Sequence, residues 1–335
     1  MLKITICAFL LLLSGHTQAY DFQNIADKHI LPVYQELLEQ TSALDKSVQQ
    51  RCDKDSLQEK SKTAFIAWQG AQHIRFGPVQ FLSREHRFAF WPDKRGVVGK
   101  QLNKLMQDVK LVEDDFDLTQ KSVALQGFSV LERLLYSGDD LNNKDCILIR
   151  AITNNLTNMS KGIVEDWVAG NDPYLQYFSN PNAKNLIFKN EAELASQILN
   201  SLFTQLELVI KQKIGLPLGD NIEKARSKSA EAWRSESALQ AIHANLSASH
   251  ELYRCVFYSE LVDDPLQREI EASFQDAFLF LEKIEIPLAE AVKNIEQRGR
   301  VEALRAQVSD IKNLITRDMA SKLELSVGFN SLDGD

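Results

Sequence analysis

Within the segment Gln126-Gly127-Phe128-Ser129-Val130-Leu131-Glu132-Arg133-Leu134-Leu135-Tyr136, a hydroxyl and a carboxylate stand three residues apart. On a helix, Ser129 and Glu132 share a face, while Phe128, Leu131, Leu134 and Leu135 define an apolar side. Gly127 falls inside this otherwise good helical stretch at a cost of about 1 kcal/mol relative to Ala, which points to a close backbone approach there. A serine hydroxyl is a poor neutral metal ligand beside imidazole, so one Glu and one Ser do not make a transition-metal site. Taken by itself, the segment reads as a tight helix crossing with Glu132 paired to an arginine.

The rest of the chain shows no His-Glu-x-x-His, no Gly-x-Ser-x-Gly and no Gly-rich phosphate loop. His16 falls within the expected export signal, and histidines 29, 73, 86, 243 and 250 are scattered and read as surface or satisfied helix residues. Arg75 lies just before Gly77-Pro78, where a helix ends; Arg133 follows Glu132, and Arg234 follows Trp233. Guanidinium groups beside a cleft dock carboxylate or phosphate through paired donors, and equally serve as structural partners for Asp and Glu. Trp68 and Trp233 read first as core aromatics. Near the end of the chain, Asp333 and Asp335 offer hard oxygen ligands for a cation such as Ca²⁺, Mg²⁺ or Fe³⁺, although chain ends are usually solvated. The run Glu113-Asp114-Asp115-Phe116-Asp117 reads as a solvated loop that could hold a cation, and Asp139 to Asn143 as a turn.

Positioning these groups falls to helices, because apolar residues recur at helical spacing and no segment alternates as a strand. Ile25, Ile30, Val33, Leu37 and Leu38 mark a first helix, and residues 56–76 a second. Residues 77–95 break the pattern with Gly-Pro, an aromatic cluster (Phe88, Phe90, Trp91) and Pro92. Helical patterning returns over 99–109, 119–136 and 145–169. Residues 170–181 read as a linker rich in Gly, Pro and Asn. Beyond it come a helix over 191–213 with Gly215 as its C-cap, then helices over 222–257, 265–284 and 287–324. The expected architecture is all-α: two four-helix bundles over residues 20–175 and 176–335. A faint echo, Ala64-Phe-Ile-Ala67-Trp68 against Ala230-Glu-Ala232-Trp233, suggests that the bundles arose by internal duplication.

The 335 residues carry 46 acidic and 38 basic side chains, a formal −8. Residues 1–19 read as a cleavable export signal: Lys3, the apolar run Ile4–Leu13, then a small-residue exit ending at Ala19. That run is too short to span a bilayer of about 30 Å, and no other long apolar run follows. Cys7 sits inside the run, which argues against a lipid anchor. An acidic exported protein is a poor partner for nucleic acid or an anionic membrane surface. Removal of the signal leaves Cys52, Cys146 and Cys255. Cys52 and Cys146 lie in polar, loop-like contexts and are expected to pair, with Cys255 spare on a helix.

Several pieces together resemble a known family. Gly127-x-Ser129-x-x-Glu132 is similar to the Gly-x-His-x-x-Glu helix of the imelysin family, also called peptidase family M75. Trp68 through Ile74-Arg75-Phe76-Gly77-Pro78, the loop Phe90-Trp91-Pro92, Ile214-Gly-Leu-Pro-Leu-Gly219, Glu231-Ala-Trp-Arg-Ser235 and residues 328–335 match as well. The resemblance implies an exported bacterial, periplasmic protein of two similar helical bundles with its site where they meet, linked to iron uptake and the cell envelope. It departs at one place: the family's His is Ser129 here, which weighs against the peptidase activity from which the family takes one name. The expected function is therefore binding of a small ligand or metal complex, with an inner-membrane uptake system as a further partner. The expected ligand-binding set is Arg75, Gly77, Pro78, Trp91, Gly127, Ser129, Glu132, Arg133, Trp233 and Arg234. Iron or another cation is the expected cofactor if there is one, on Glu132, Asp333 and Asp335. The competing readings are a metallopeptidase, which needs three protein ligands and an open position, and a structural envelope protein that binds a protein partner.

Overall fold

The structure is a computed structural model that describes residues 20–108, 111 and 116–328. Residues 1–19, Glu113 to Asp115, Asp333 and Asp335 lie outside the described residues. In the first half of the chain the longer helices are α1 (Leu31–Gln50), α2 (Lys54–Ala71), α3 (Val97–Gln107), α4 (Phe128–Leu135) and α5 (Asn143–Val168). In the second half they are α6 (Glu191–Glu207), α7 (Ala238–Val256), α8 (Pro265–Glu282) and α9 (Ile295–Asn313). Among the described residues there is no strand, and no helix is long and apolar enough to cross a membrane.

Local chemistry starts these helices where they start. Asp53 caps α2 by accepting from the Ser56 amide at 3.1 Å, and Asp264 caps α8 ahead of Pro265. Asn142 and Asp145 form a reciprocal capping box at the head of α5. Each helix then buries one stripe. On α1 it is Tyr34, Leu37, Thr41, Leu44 and Val48, three or four residues apart, and on α5 it runs from Leu148 through Ile152, Leu156, Met159 and Ile163 to Trp167. α1 packs between α2 and α5, α8 lies on α9, and α6 lies against both α7 and α9. α2 of the first half packs directly on α7 of the second, so the buried apolar residues form one continuous core. A disulfide joins Cys52 to Cys146 (Cα–Cα 5.9 Å), tying the approach to α2 to the first turn of α5.

The structure corrects the sequence reading in several places. The stretch 119–136 is not one helix: two short 3₁₀ turns precede α4, and Gly127 is the N-cap residue of α4 rather than an interior position. Residues 170–181 are more than a linker, because the short helix Tyr174–Phe178 buries both terminal rings against Trp167, at centroid distances of 4.9 and 5.4 Å. α6 does not stop at Gly215. It continues as a π-helical stretch, Leu208–Ile214, and a last turn, Gly215–Leu218, and ends at Gly219, whose φ of +61° suits glycine. Finally, residues 222–237 are 3₁₀ turns and loop, not the start of α7. Trp68 is thus a buried residue of α2, whereas Trp233 is a half-buried loop residue, and the two halves of the Ala-Trp echo do not occupy equivalent structures.

Candidate functional site

α2, α4 and the loop around Trp91 from the first half face Leu216 and the loop 226–235 from the second, enclosing a cavity of about 490 Å³. Its shape begins with Gly127. A Cβ there would lie 2.1 Å from the Phe88 carbonyl oxygen and 2.2 Å from that of Arg87, so only glycine lets the 87–92 segment cross the head of α4. Arg87 fastens the crossing by donating from Nε to Gln126 Oε1 (2.6 Å) and from a terminal nitrogen to Asn155 Oδ1 (3.0 Å). Asn155 in turn donates to the Gln126 carbonyl at 2.9 Å. Ser129 adds a hydrogen bond from Oγ to the Phe90 carbonyl at 3.1 Å, which holds the backbone next to Trp91. The close backbone approach expected at Gly127 is real: the cap of α4 lies against the last residues of the short helix Arg84–Phe88.

Glu132 reaches from α4 to the other half of the molecule. Its Oε1 accepts the backbone amides of Arg234 (2.9 Å) and Ser235 (3.1 Å), and its Oε2 lies 3.7 Å from an Arg234 guanidinium nitrogen. The single Ser235 hydroxyl hydrogen has two acceptors in range, Glu132 Oε1 at 3.3 Å and the Ala232 carbonyl at 3.1 Å. Positive φ angles at Ala232 (+50°) and Glu236 (+56°) bend the loop so that both amides aim at one carboxylate oxygen. Burial pushes the Glu132 carboxyl above its ordinary range despite these donors, because desolvation of the anion outweighs the hydrogen bonds and the Arg234 charge. Burial likewise lowers Arg234, with Arg133 close by adding like-charge repulsion.

Beneath the cavity lies a polar cluster that the sequence reading missed. Lys213 forms an ion pair with Glu231 and donates to Gln69 Oε1 at 2.5 Å, and all three side chains are buried. Asn245 completes the cluster by donating to the Gln69 carbonyl at 2.7 Å. Burial holds the Lys213 ammonium below its ordinary value, against the pull of Glu231. Lys213 Nζ also lies 5.6 Å from the centre of the Trp91 ring. The signal for Lys213 was present in the sequence: it follows Leu206 and Val209 on the buried stripe, where a lysine demands a partner.

Of the expected ligand-binding residues, Trp91, Ser129, Glu132, Arg133, Trp233 and Arg234 line this one cavity. Gly127 shapes it from behind. Arg75, Gly77 and Pro78 are not among its lining residues. Gly77 (φ +70°) sits under the Tyr174 ring, Pro78 accepts from Arg84 at 2.9 Å, and Arg75 is largely buried, with Glu85 opposing the downward push of burial on it. Six cationic side chains line the cavity: Lys62, Lys94, Arg133, Arg226, Lys228 and Arg234. The lining carboxylates are all engaged by the protein itself. Asp93 caps α3 through the amides of Val97 (2.6 Å) and Val98 (3.0 Å), Glu132 holds the loop, and Glu231 pairs with Lys213. Lys62, Lys94, Arg133 and Arg226 have no carboxylate at ion-pair distance among the described residues.

No three His, Cys, Asp or Glu side chains converge on a common point among the described residues. His29 and His73 bond to each other through Nε2 at 2.7 Å. Because His73 Nδ1 donates to the Gly70 carbonyl (2.8 Å), its Nε2 is the acceptor and His29 the donor. Burial lowers His29 to about 4 and holds His73 well below its ordinary value, so both rings are neutral at pH 7. His250 pairs with Glu271 at 3.0 Å.

The sequence profile described as imelysin (Peptidase M75) matches residues 30–315. The chain belongs to the imelysin family. The imelysin fold is visible in solved structures as well. The chain is similar to an imelysin-like protein from Psychrobacter arcticum 273-4, with a TM-score of 0.77 at 20% identity over 92% of this chain and 96% of that one. It is also similar to a protein from Parabacteroides distasonis ATCC 8503 named "putative iron-regulated protein A precursor", with a TM-score of 0.71 at 12% identity over 90% and 95% of the two chains. At these identities the likeness is one of fold. No curated protein matches the sequence.

Proposed function

We propose that this imelysin-family protein is an exported, periplasmic binding protein whose cleft holds a small anionic ligand or an anionic metal complex during iron acquisition. The observation that carries the reading is the charge of the cavity: six cations line it, while its three carboxylates are each engaged by the protein's own groups. Uncompensated guanidinium and ammonium groups in a partly desolvated cleft attract carboxylate, phenolate or phosphate oxygen. They repel a bare cation. The name of the Parabacteroides neighbour lends the link to iron regulation. The division of the chain near residue 175 into two duplicated bundles, with the cleft between them, belongs to the same proposal.

Binding is favoured over hydrolysis by the disposition of the donors. A catalytic metal needs about three protein ligands and an open position, and Glu132 spends one oxygen on two backbone amides. Ser129, standing where the resemblance places the family's His, ties down the Phe90 carbonyl instead. In this reading Ser129 and Glu132 are positioning residues for the two cavity walls, while Arg133, Arg234 and Lys228 meet the ligand. The test is calorimetric titration of the mature protein with ferric citrate at low and high ionic strength. Binding should weaken steeply with salt and fall at least about tenfold in the double variant Arg133→Glu/Lys228→Glu. Stoichiometric uptake of free Mn²⁺ or Zn²⁺ in preference to every anion offered would overturn the reading.

A further inference from the structure

The same cavity carries a second chemical signature, independent of its charge. Six aromatic side chains line it: Phe65, Phe90, Trp91, Phe128, Tyr136 and Trp233. The Tyr136 hydroxyl donates to the Gln58 carbonyl at 3.2 Å, and Phe65 and Phe128 brace one another edge to face at 5.7 Å. Two indoles approach from opposite halves of the molecule. Trp91 stands on the loop fastened by Ser129, and Trp233 on the loop fastened by Glu132. Each indole has at least one protein cation set against its ring. Lys213 Nζ lies 5.6 Å from the Trp91 centroid, and the Arg234 guanidinium carbon and Lys228 Nζ lie 4.3 and 5.4 Å from that of Trp233.

A ring polarised by a nearby cation is a good stacking surface for an electron-rich ring. A cavity of about 490 Å³ falls within the roughly 300–1,000 Å³ range of small-molecule sites. Resting on the anion-binding reading above, we infer that the ligand is an aromatic acid: a flat ring carrying a carboxylate or phenolate oxygens, free or as the ligand of a metal ion. The ring is clamped between the two indole-bearing loops, and its anionic edge meets Arg133, Arg234 and Lys228. Aliphatic polycarboxylates use the charges but leave both indoles without a partner, so they bind more weakly.

The experiment compares three probes by calorimetry with the full mature chain: 2,3-dihydroxybenzoate, cyclohexanecarboxylate of similar size without a π face, and citrate. 2,3-Dihydroxybenzoate should bind at least about tenfold more tightly than cyclohexanecarboxylate at equal ionic strength, as expected when stacking on two indoles adds to the charge contacts. The ratio of the two affinities should fall severalfold in Trp233→Leu, where Trp91 alone remains to stack, and be largely retained in Trp233→Phe, which keeps a ring and guards against simple loss of folding. Repeating the titration with the ferric complex of 2,3-dihydroxybenzoate separates the two sources: tighter binding of the free acid assigns the site to the acid, and tighter binding of the complex assigns it to the chelate. Equal or tighter binding of cyclohexanecarboxylate would overturn the aromatic assignment while leaving the anion-binding reading intact. Failure of every anion to bind would overturn both.

Discussion

Replacing Glu132 separates two roles that its carboxylate combines, shape and charge. In Glu132→Ala the amides of Arg234 and Ser235 lose the oxygen they share at 2.9 and 3.1 Å. A buried donor left without an acceptor costs about 1–3 kcal/mol, but the adjoining cavity admits water, so the expected loss is about 2–4 kcal/mol in all. In Glu132→Gln the side-chain oxygen still accepts both amides, and a charge whose burial is unfavourable is removed. That variant should stay within about 1 kcal/mol of the parent at pH 7. The sign of the pH dependence follows from the raised carboxyl. The native state holds this proton more tightly than the unfolded chain, so the contribution of Glu132 to stability is fully present below its ordinary value of 4.5. It is lost as pH rises through the higher native value. The Gln variant, which does not titrate, should therefore compare least favourably with the parent near pH 4 and gain on it toward pH 7. Urea unfolding of the three proteins between pH 4 and 7.5 reads all of this. If Ala and Gln destabilise equally at pH 7, or if the Gln comparison runs the other way with pH, the account of Glu132 as a hydrogen-bonded tether is wrong.

Gly127→Ala drives a methyl group into two carbonyl oxygens and should cost about 3 kcal/mol or more while also weakening ligand binding, whereas Gly70→Ala, with nothing within 4 Å, should be neutral or stabilising by up to about 1 kcal/mol; thermal melting of both separates them. The Cys52–Cys146 bridge closes a loop with a sequence separation of 94, and Cys52→Ser/Cys146→Ser should lower stability by about 2–4 kcal/mol in urea. Breaking the buried pair with Lys213→Met alone should cost about 3–5 kcal/mol, because it strands the Glu231 charge, and Lys213→Met/Glu231→Gln together should cost less than the sum of the single variants in a double-mutant cycle.

The helices that pack by a simple apolar stripe were legible in the sequence. Of the residues that marked the first helix, Ile25, Ile30 and Leu37 are buried and Val33 and Leu38 half-buried, and the Asp264-Pro265 start of α8 likewise follows local rules closely enough to place an element. What escaped was set by contacts distant in sequence. Residues 222–237 have helix-compatible composition, but Glu132, about a hundred residues earlier, holds the Arg234 and Ser235 amides that a helix would claim. Gly215 looked like a helix end because the π-helical stretch before it is invisible to a 3.6-residue count. The same division applies to the site. Ser129, Glu132 and Arg133 share one short helix and stand out by spacing, whereas Lys62, Lys94, Arg226 and Lys228 come from separate segments and signal nothing until the fold gathers them. Arg75 and Gly77 carried a motif without lining the cavity, because they form the turn packed on Tyr174 and Arg84.

The most direct test is native mass spectrometry, with parallel elemental analysis, of the mature protein purified without chelators from the envelope of its own cells. The account predicts a stoichiometric mass increment from an anionic aromatic molecule or its metal complex, lost in Arg133→Glu/Lys228→Glu. A bare metal ion bound one to one, with no organic component and released by Glu132→Ala, would contradict it.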